Sequence, residues 1–234
     1  MSEVLIALVL IVVLAWPLGR YMALALGDRP SAVDRVFGPI EGLLYRVFGV
    51  DPARGMSWRG FALAFVASNV VLGVIVQLIL LFQHRLPLNP DGIPGMSWDL
   101  ALHTMVSFLT NTNQQHYSGQ AQLSYFSQLA GIVTLQIVTP AMGMAGALGF
   151  LRGFFGGRDA KTATDGQPRD LGNFYVDTTR MVLRVFLPLA FVLSLALTSQ
   201  GVPSTFAGAS RATPIDASAG MTEQVIPLGP VAPM

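Results

Sequence analysis

Apolar runs of membrane length alternate along the chain with short polar or charged segments. A helix needs about 20 mostly apolar residues to cross ~30 Å of hydrocarbon. Four segments meet that length: Val4 to Leu26, Gly60 to Gln83, Ser124 to Leu151 and Val176 to Thr198. Pro17 and Pro140 are expected to bend the first and third. Between the first two, Gly27 to Arg59 is mixed. Val33, Val36, Phe37, Ile40, Leu43, Leu44, Val47 and Phe48 recur at three- and four-residue steps, with Arg35 and Arg46 among them. That spacing predicts an amphipathic helix on the membrane surface, interrupted at Gly38-Pro39. Between the second and third spans, Leu86 to Gly95 is a turn-rich loop. Ser97 or Asp99 is then placed to cap a helix that ends near Leu109. That helix is too short to cross and reads as re-entrant. Small residues four apart, Gly143 with Ala147 and Ala145 with Gly149, predict close-packing faces on the third span. Gly201 to Met234 reads as an irregular tail.

Composition agrees with the pattern. The 234 residues are 52% hydrophobic and only 12% charged, with a mean hydropathy of +0.55. Soluble domains carry about 25% charged residues. The net charge of +1 gives no reason to expect nucleic acid as a partner. With no cysteine, disulfides and thiolate metal sites are excluded. Glu3 stands where a secretory signal has Lys or Arg, so the first span reads as retained.

Basic residues orient the spans. Arg20, Arg29, Arg35, Arg46, Arg54 and Arg59 flank the first connection, and Arg85 is alone in the second. Arg152, Arg158, Lys161, Arg169, Arg180 and Arg184 flank the third, and Arg211 follows the fourth span. By the positive-inside rule the first and third connections are cytoplasmic. The N-terminus, the loop after the short helix and the tail then lie outside.

That loop holds the candidate chemistry. Leu100 to Leu151 is 52 residues without Asp, Glu, Lys or Arg, yet Thr110 to Ser118 is nearly all amide and hydroxyl. Non-helical backbone at membrane depth is tolerated where it is buried or lines water. A helix pointing its C-terminal end inward aims partial negative charge at a cation, and neutral carbonyls suit a weakly hydrated monovalent ion. An ordinary external loop has the same composition, and the residues alone leave both open. His103 and His116 are thirteen apart with no carboxylate or thiol partner, which argues against a metal site other than one for potassium. Asn69, Gln77, Gln128 and Gln136 suit hydrogen bonds between helices. No phosphate-binding glycine loop, HExxH or P-type phosphorylation motif is present, so no nucleotide site and no catalytic residue are expected in this chain.

SWDLAL at Ser97, SFLTNTN ending at Asn113, then Gln115, Tyr117-Ser118-Gly119 and LSYFSQLAG resemble the first pore loop of the KdpA family. These are the potassium-translocating subunits of Kdp potassium-transporting ATPases. Ordered matches extend along the chain: PLG at Pro17, LPLNP at Leu86, LGNFYVD at Leu171, LPL at Leu187, SQGVPSTF at Ser199 and EQVIPLGPVA at Glu223. The resemblance implies an all-α integral membrane fold of the potassium-transporter superfamily. Its span–pore-helix–span repeat is preceded by an extra N-terminal helix. Here that gives the N-terminal helix at 1–26, a cytoplasmic amphipathic connection at 27–59 and a first repeat at 60–151. A cytoplasmic loop at 152–175, the opening helix of a second repeat at 176–198 and an external tail at 199–234 follow. The filter positions implied are Thr110, Asn111, Thr112, Asn113, Gln115 and Gly119. Ser97, Asp99, Gln114, His116, Tyr117, Ser118 and Gln120 would support them. Gln114 stands where the family usually has Trp, Gln120 where it has Glu, and His103 where Asn is common.

The resemblance further implies a non-catalytic, potassium-binding subunit of an ATP-driven uptake complex in the bacterial inner membrane. Its partners would be a P-type ATPase subunit, accessory membrane subunits and the lipid bilayer. A passive channel, an ion-coupled transporter and a non-conducting assembly fragment are the alternatives. The family's second filter follows soon after the stretch matched by GPVA, and this chain ends at Met234. It is therefore expected to hold one filter strand of four and not to form a selective pore alone, whether as a fragment, a truncated product or part of a split protein.

Overall fold

A computed structural model describes residues 2–27, 30–155, 170–215, 220 and 223–230; of Ser2 and Gln120 it describes the backbone alone. Arg29, Arg158, Lys161 and Arg169, most of the expected third connection and parts of the tail lie outside the described residues. Among the described residues the chain is all-α apart from one pair of three-residue strands and an isolated bridge, Ser204 to Pro230. Among the described residues, four helices are long and apolar enough to cross a membrane: Glu3–Leu26, Trp58–Arg85, Ser127–Phe155 and Phe174–Ser199. The chain divides into two compact units, Met1–Phe61 with Met144–Pro188, and Ala62–Gly143 with Leu189–Met234.

The first unit begins with α1 (Ser2–Leu26), which runs unbroken through Pro17. Helix α2 (Ala32–Phe48) follows. Its start is fixed by Asp34, whose carboxylate accepts the Ser31 backbone N–H at 2.7 Å and the Ser31 hydroxyl at 3.2 Å. Its end is fixed by Gly49 at φ 65°, a left-handed turn that glycine adopts without cost. The expected break at Gly38-Pro39 does not occur, because α2 continues past Pro39. Pro39 and Arg35 are both exposed, so the Arg35 carbonyl freed by the missing N–H is not buried.

The LGNFYVD stretch organises the return of the chain into this unit. Asn173 caps α7 (Phe174–Arg180), accepting the Tyr175 and Val176 N–H groups. Its amide also donates to the Asp51 and Arg54 carbonyls at 3.1 and 3.0 Å. Asp177 takes both terminal nitrogens of Arg152, at 2.5 and 3.1 Å. A π-helical turn, Met181–Phe186, then carries Arg184. This side chain is 1% exposed and binds Glu41 at 2.5 and 2.6 Å, Asp34 at 2.8 Å and the Ala25 carbonyl at 2.8 Å. Tyr21 donates to the Arg184 carbonyl. The sequence reading, which placed Arg184 among basic flanking residues, missed this buried network. Of the two small-residue faces, Ala145 and Gly149 are used. A Cβ on Gly149 would meet the Phe61 ring at 2.7 Å, whereas Gly143 and Ala147 are exposed.

The second unit is built on α3 (Trp58–Phe82), which continues as a tight turn, Gln83–Arg85. Helix α4 (Trp98–Leu109) packs on it closely enough that a Cβ at Gly73 would lie 3.1 Å from Met105 Sδ. The core joins Val76 and Leu80 of α3 to Ala101 and Phe108 of α4, to Tyr117 of the polar loop, and to Leu123, Ile132 and Leu135 beyond it. A short turn, α5 (Gly119–Gln122), and a π-helical segment, Ser127–Val133, lead into α6 (Thr134–Phe155), which contains Pro140. Helix α8 (Leu187–Ser199) opens the tail. The tail is less irregular than expected. Strand β1 (Ser210–Ala212) pairs antiparallel with β2 (Gln224–Ile226), Arg211 opposite Val225. Asp91 accepts the Ala209 N–H at 2.9 Å, and Tyr125 donates to the Ala207 carbonyl at 2.7 Å.

Candidate functional site

The polar loop starts where α4 is stopped by its own sequence. Thr110 closes the helix and Asn111 turns left-handed at φ 57°. Asparagine is among the few residues that tolerate this region. The Asn111 N–H then reaches the Phe108 carbonyl at 3.2 Å and the Thr112 N–H reaches the Ser107 carbonyl at 2.9 Å. These two bonds define a Schellman cap, which uses up carbonyls the helix end would leave open. Asn113 is left-handed as well, at φ 52°, and its N–H shares the Ser107 carbonyl at 3.1 Å. The alternating Thr-Asn-Thr-Asn run therefore has a conformational reason as well as a compositional one.

One hydroxyl folds the loop back on the helix. Ser107 Oγ accepts the Gln114 N–H at 2.7 Å and donates to the Gln114 carbonyl at 3.0 Å. Thr139 on α6 holds the other side. Its hydroxyl lies 2.8 Å from Asn111 Oδ1, 3.2 Å from the Phe108 carbonyl and 2.7 Å from the Leu135 carbonyl. It has one proton and so donates to one of these at a time. Below the loop, Gln83 is fully buried. Its amide donates to the Pro94 and Gln122 carbonyls at 2.7 and 2.8 Å and accepts the Ser124 N–H at 3.0 Å. A single neutral side chain thus ties the end of α3 to the loops on either side of α4. Gln77 donates to the Trp98 carbonyl at 3.3 Å, a link between helices, while Asn69 bonds its own helix at Phe65.

The six expected filter residues lie together on this loop. Among the described residues, the carbonyls of Thr110, Asn111, Thr112, Asn113 and Gln115 accept no hydrogen bond from protein. Gly119 differs: its carbonyl takes the Leu123 N–H at 3.0 Å. Thr110 and Thr112 hydroxyls are 3.0 Å apart. An open groove of about 460 Å³ runs along this face, lined by Trp98, Asp99, His103, Val106, Ser107, Thr110, Thr112 and Gln114 among others.

The expected supporting residues divide. Ser97 occupies the N-cap of α4, and its hydroxyl beside Asp99 holds that carboxyl below its usual range. Tyr117 is buried in the core, and burial pushes its hydroxyl up to about 12 against the opposing pull of the Gln115 side chain. Ser118 donates its N–H to Gln122 Oε1 at 2.8 Å. Gln114 takes part through its backbone. His116 is exposed and meets His103 edge to face, with ring centroids 4.1 Å apart. Among the described residues, no group of three or more His, Asp and Glu side chains is placed to hold a metal ion. The Gln120 backbone lies in α5; its side chain is outside the described residues. Sequence reasoning missed Ser107, Gln83 and Thr139. Their one legible signal is that they are polar groups inside otherwise apolar helices.

Comparison with known proteins points the same way. The family described as the potassium-transporting ATPase A subunit, KdpA, matches residues 5–234. The chain is 44% identical to the potassium-transporting ATPase potassium-binding subunit of Gloeobacter violaceus, covering 92% of this chain and 35% of that protein. Against the proteins of the same name from Desulfovibrio desulfuricans and Pseudomonas aeruginosa it is 41% and 43% identical. Those matches cover 98% and 92% of this chain, and 39% and 36% of theirs. The chain thus spans under two fifths of the length of these curated relatives. Four membrane-length apolar helices in a transporter family make it a multi-pass membrane protein. On the match over 5–234 and these identities, the chain belongs to the KdpA family of potassium-transporting ATPase A subunits.

Proposed function

We propose that this chain supplies one potassium-binding segment of an ATP-driven potassium uptake complex. Potassium would enter from outside and meet the backbone carbonyls of Thr110, Asn111, Thr112, Asn113 and Gln115, with Gly119 closing the loop. The observation that carries this is the set of five uncommitted carbonyls after a capped helix, in a stretch without carboxylates. Carbonyl oxygens replace the water shell of a weakly hydrated cation, and the absence of a fixed negative charge disfavours divalent ions. The relatives are named potassium-binding subunits, which supports the choice of ion. A closed ring of carbonyls needs more strands than this loop provides, so the complete site is assembled with further segments. ATP hydrolysis belongs to a partner P-type subunit, with accessory membrane subunits completing the complex in the bacterial inner membrane.

The same proposal covers the layout. Residues 60–151 form a span–pore-helix–span repeat after an N-terminal helix at 1–26, and 176–198 opens a second repeat. The connections at 27–59 and 152–175 face the cytoplasm; the N-terminus, filter loop and tail at 199–234 face outside. Arg184 supports part of this, because it joins the end of α1, the start of α2 and the fourth span on one side.

The test places a fixed cation beside the path. In the complete complex, Gln115→Arg should raise the potassium concentration for half-maximal uptake at least about tenfold, from repulsion at short range. Unchanged affinity would remove Gln115 and its neighbours from the path. Uptake that persists without the partner ATPase would favour a passive channel instead.

A further inference from the structure

Helix α2 sorts its charges in a way the sequence pattern does not reveal. At about 100° per residue, Val36, Ile40, Leu43 and Val47 fall within roughly 60° of one another. They are 65, 50, 59 and 68% exposed, so this apolar stripe faces away from the chain. Asp34, Glu41 and Tyr45 fall on the opposite side, where Glu41 and Tyr45 are buried and both carboxylates bind Arg184. Arg35 and Arg46 lie within about 20° of each other on one flank of the stripe, roughly 16 Å apart along the axis. Both are exposed, and neither guanidinium bonds any described residue.

Arg184 therefore draws both acidic side chains of α2 to the side opposite the stripe, with Glu41 buried and Asp34 partly exposed. What remains on the outer face is an apolar stripe edged by two arginines. We propose that this face binds anionic phospholipid, with the stripe among acyl chains and Arg35 and Arg46 on headgroup phosphate. Charge complementarity selects this occupant. Arginine is matched to phosphate, and an amphipathic helix with basic residues beside its apolar face lies in the interface plane. Trp58 and Arg59 support that level, since the Arg59 guanidinium sits 5.3 Å from the Trp58 ring at the start of α3, a pairing typical of the headgroup region. The proposal rests on the membrane placement of α2 and is independent of the potassium site.

The test uses the purified chain in a neutral detergent, titrated with phosphatidylglycerol or with phosphatidylcholine of the same acyl length. Retained lipid is counted by mass spectrometry. Phosphatidylglycerol is expected to be retained in preference, and less so at high salt. Each arginine near an anionic surface strengthens binding by about fivefold, so R35Q/R46Q should lose about 25-fold of the preference. R35K/R46K should keep most of it, and R85Q all of it. If R35Q/R46Q loses helix content, the single variants replace it, each expected to lose about fivefold. Equal retention of the two lipids, or a preference that survives the loss of both arginines, overturns the proposal. Loss of the preference when the partner subunits bind would assign the face to a protein, and overturns it as well.

Discussion

The two units use different polar chemistry. In the first, buried and half-buried charges hold the helices: Arg184 with Glu41 and Asp34, and Arg152 with Asp177. In the second, the polar bonds around the loop come from neutral groups: Ser107 to Gln114, Gln83 to three backbone groups, Thr139 beside Asn111. The difference follows from what each region surrounds. A fixed charge acts over about 10 Å even at moderate salt, and further where water is excluded. If the loop holds a monovalent cation as proposed, a carboxylate beside it would bind the ion too tightly and a guanidinium would repel it. Neutral amides and hydroxyls fix the backbone without adding field. Away from that loop, charge pairs are tolerated and give more directional contacts.

Three tests press on this contrast. The largest effect is expected in the first unit. Arg184→Met leaves Glu41 charged and buried and should destabilise the chain by about 3–5 kcal/mol, read as a fall in thermal midpoint in detergent. Arg184→Met with Glu41→Met should recover most of it, since replacing both partners with apolar groups is often neutral. Equal losses in the single and double variants would mean that the ion pair itself is not what holds α2. A smaller effect is expected in the second unit. Ser107→Ala strands the Gln114 N–H and should cost about 1–3 kcal/mol. Amide exchange should rise at Thr112 to Gln114 while the first unit is unchanged; a uniform rise would blur the distinction between the units.

The smallest effect is a pH dependence at Asp34. The Ser31 N–H holds its carboxyl below the usual range; partial burial opposes this, and Arg184 adds to it. Because the folded value is depressed, the stabilisation is full above the ordinary Asp value near 3.9 and is lost as pH falls through the folded one. Asp34→Asn should flatten that acid limb, measured by acid titration of helix content, and leave stability at neutral pH only slightly lower. An unaltered acid limb would show that Asp34 does not report on the clamp.

The four spans, the short helix and the uncharged loop were legible because each depends on local composition. About 20 apolar residues make a span wherever they occur, and two asparagines near a helix end make left-handed turns available. The loop residues Thr110 to Gly119 were therefore found together. Arg184 was misjudged for the opposite reason. Its partners Glu41 and Asp34 are more than 140 positions away, and no local pattern marks them. Gln83 was taken only as the last residue of a span, although its amide bonds three backbone groups in the loops on either side of α4. Pro39 was expected to break α2, but its position on the exposed side made the lost hydrogen bond cheap.

By itself the sequence determined the membrane solvent, the number of apolar helices, the place of the polar loop and the family. The first three rest on hydrophobic burial and backbone preference, which act residue by residue; the family rests on ordered matches of short motifs along the chain. Only the tertiary structure decided which polar groups meet. It turned the acids of α2 inward onto Arg184 and left Arg35 and Arg46 outside, committed the Gly119 carbonyl to Leu123, and left the five carbonyls before it open. Hydrogen bonds and ion pairs need partners at about 3 Å in the right direction. That condition links residues far apart in the chain, and composition cannot supply it.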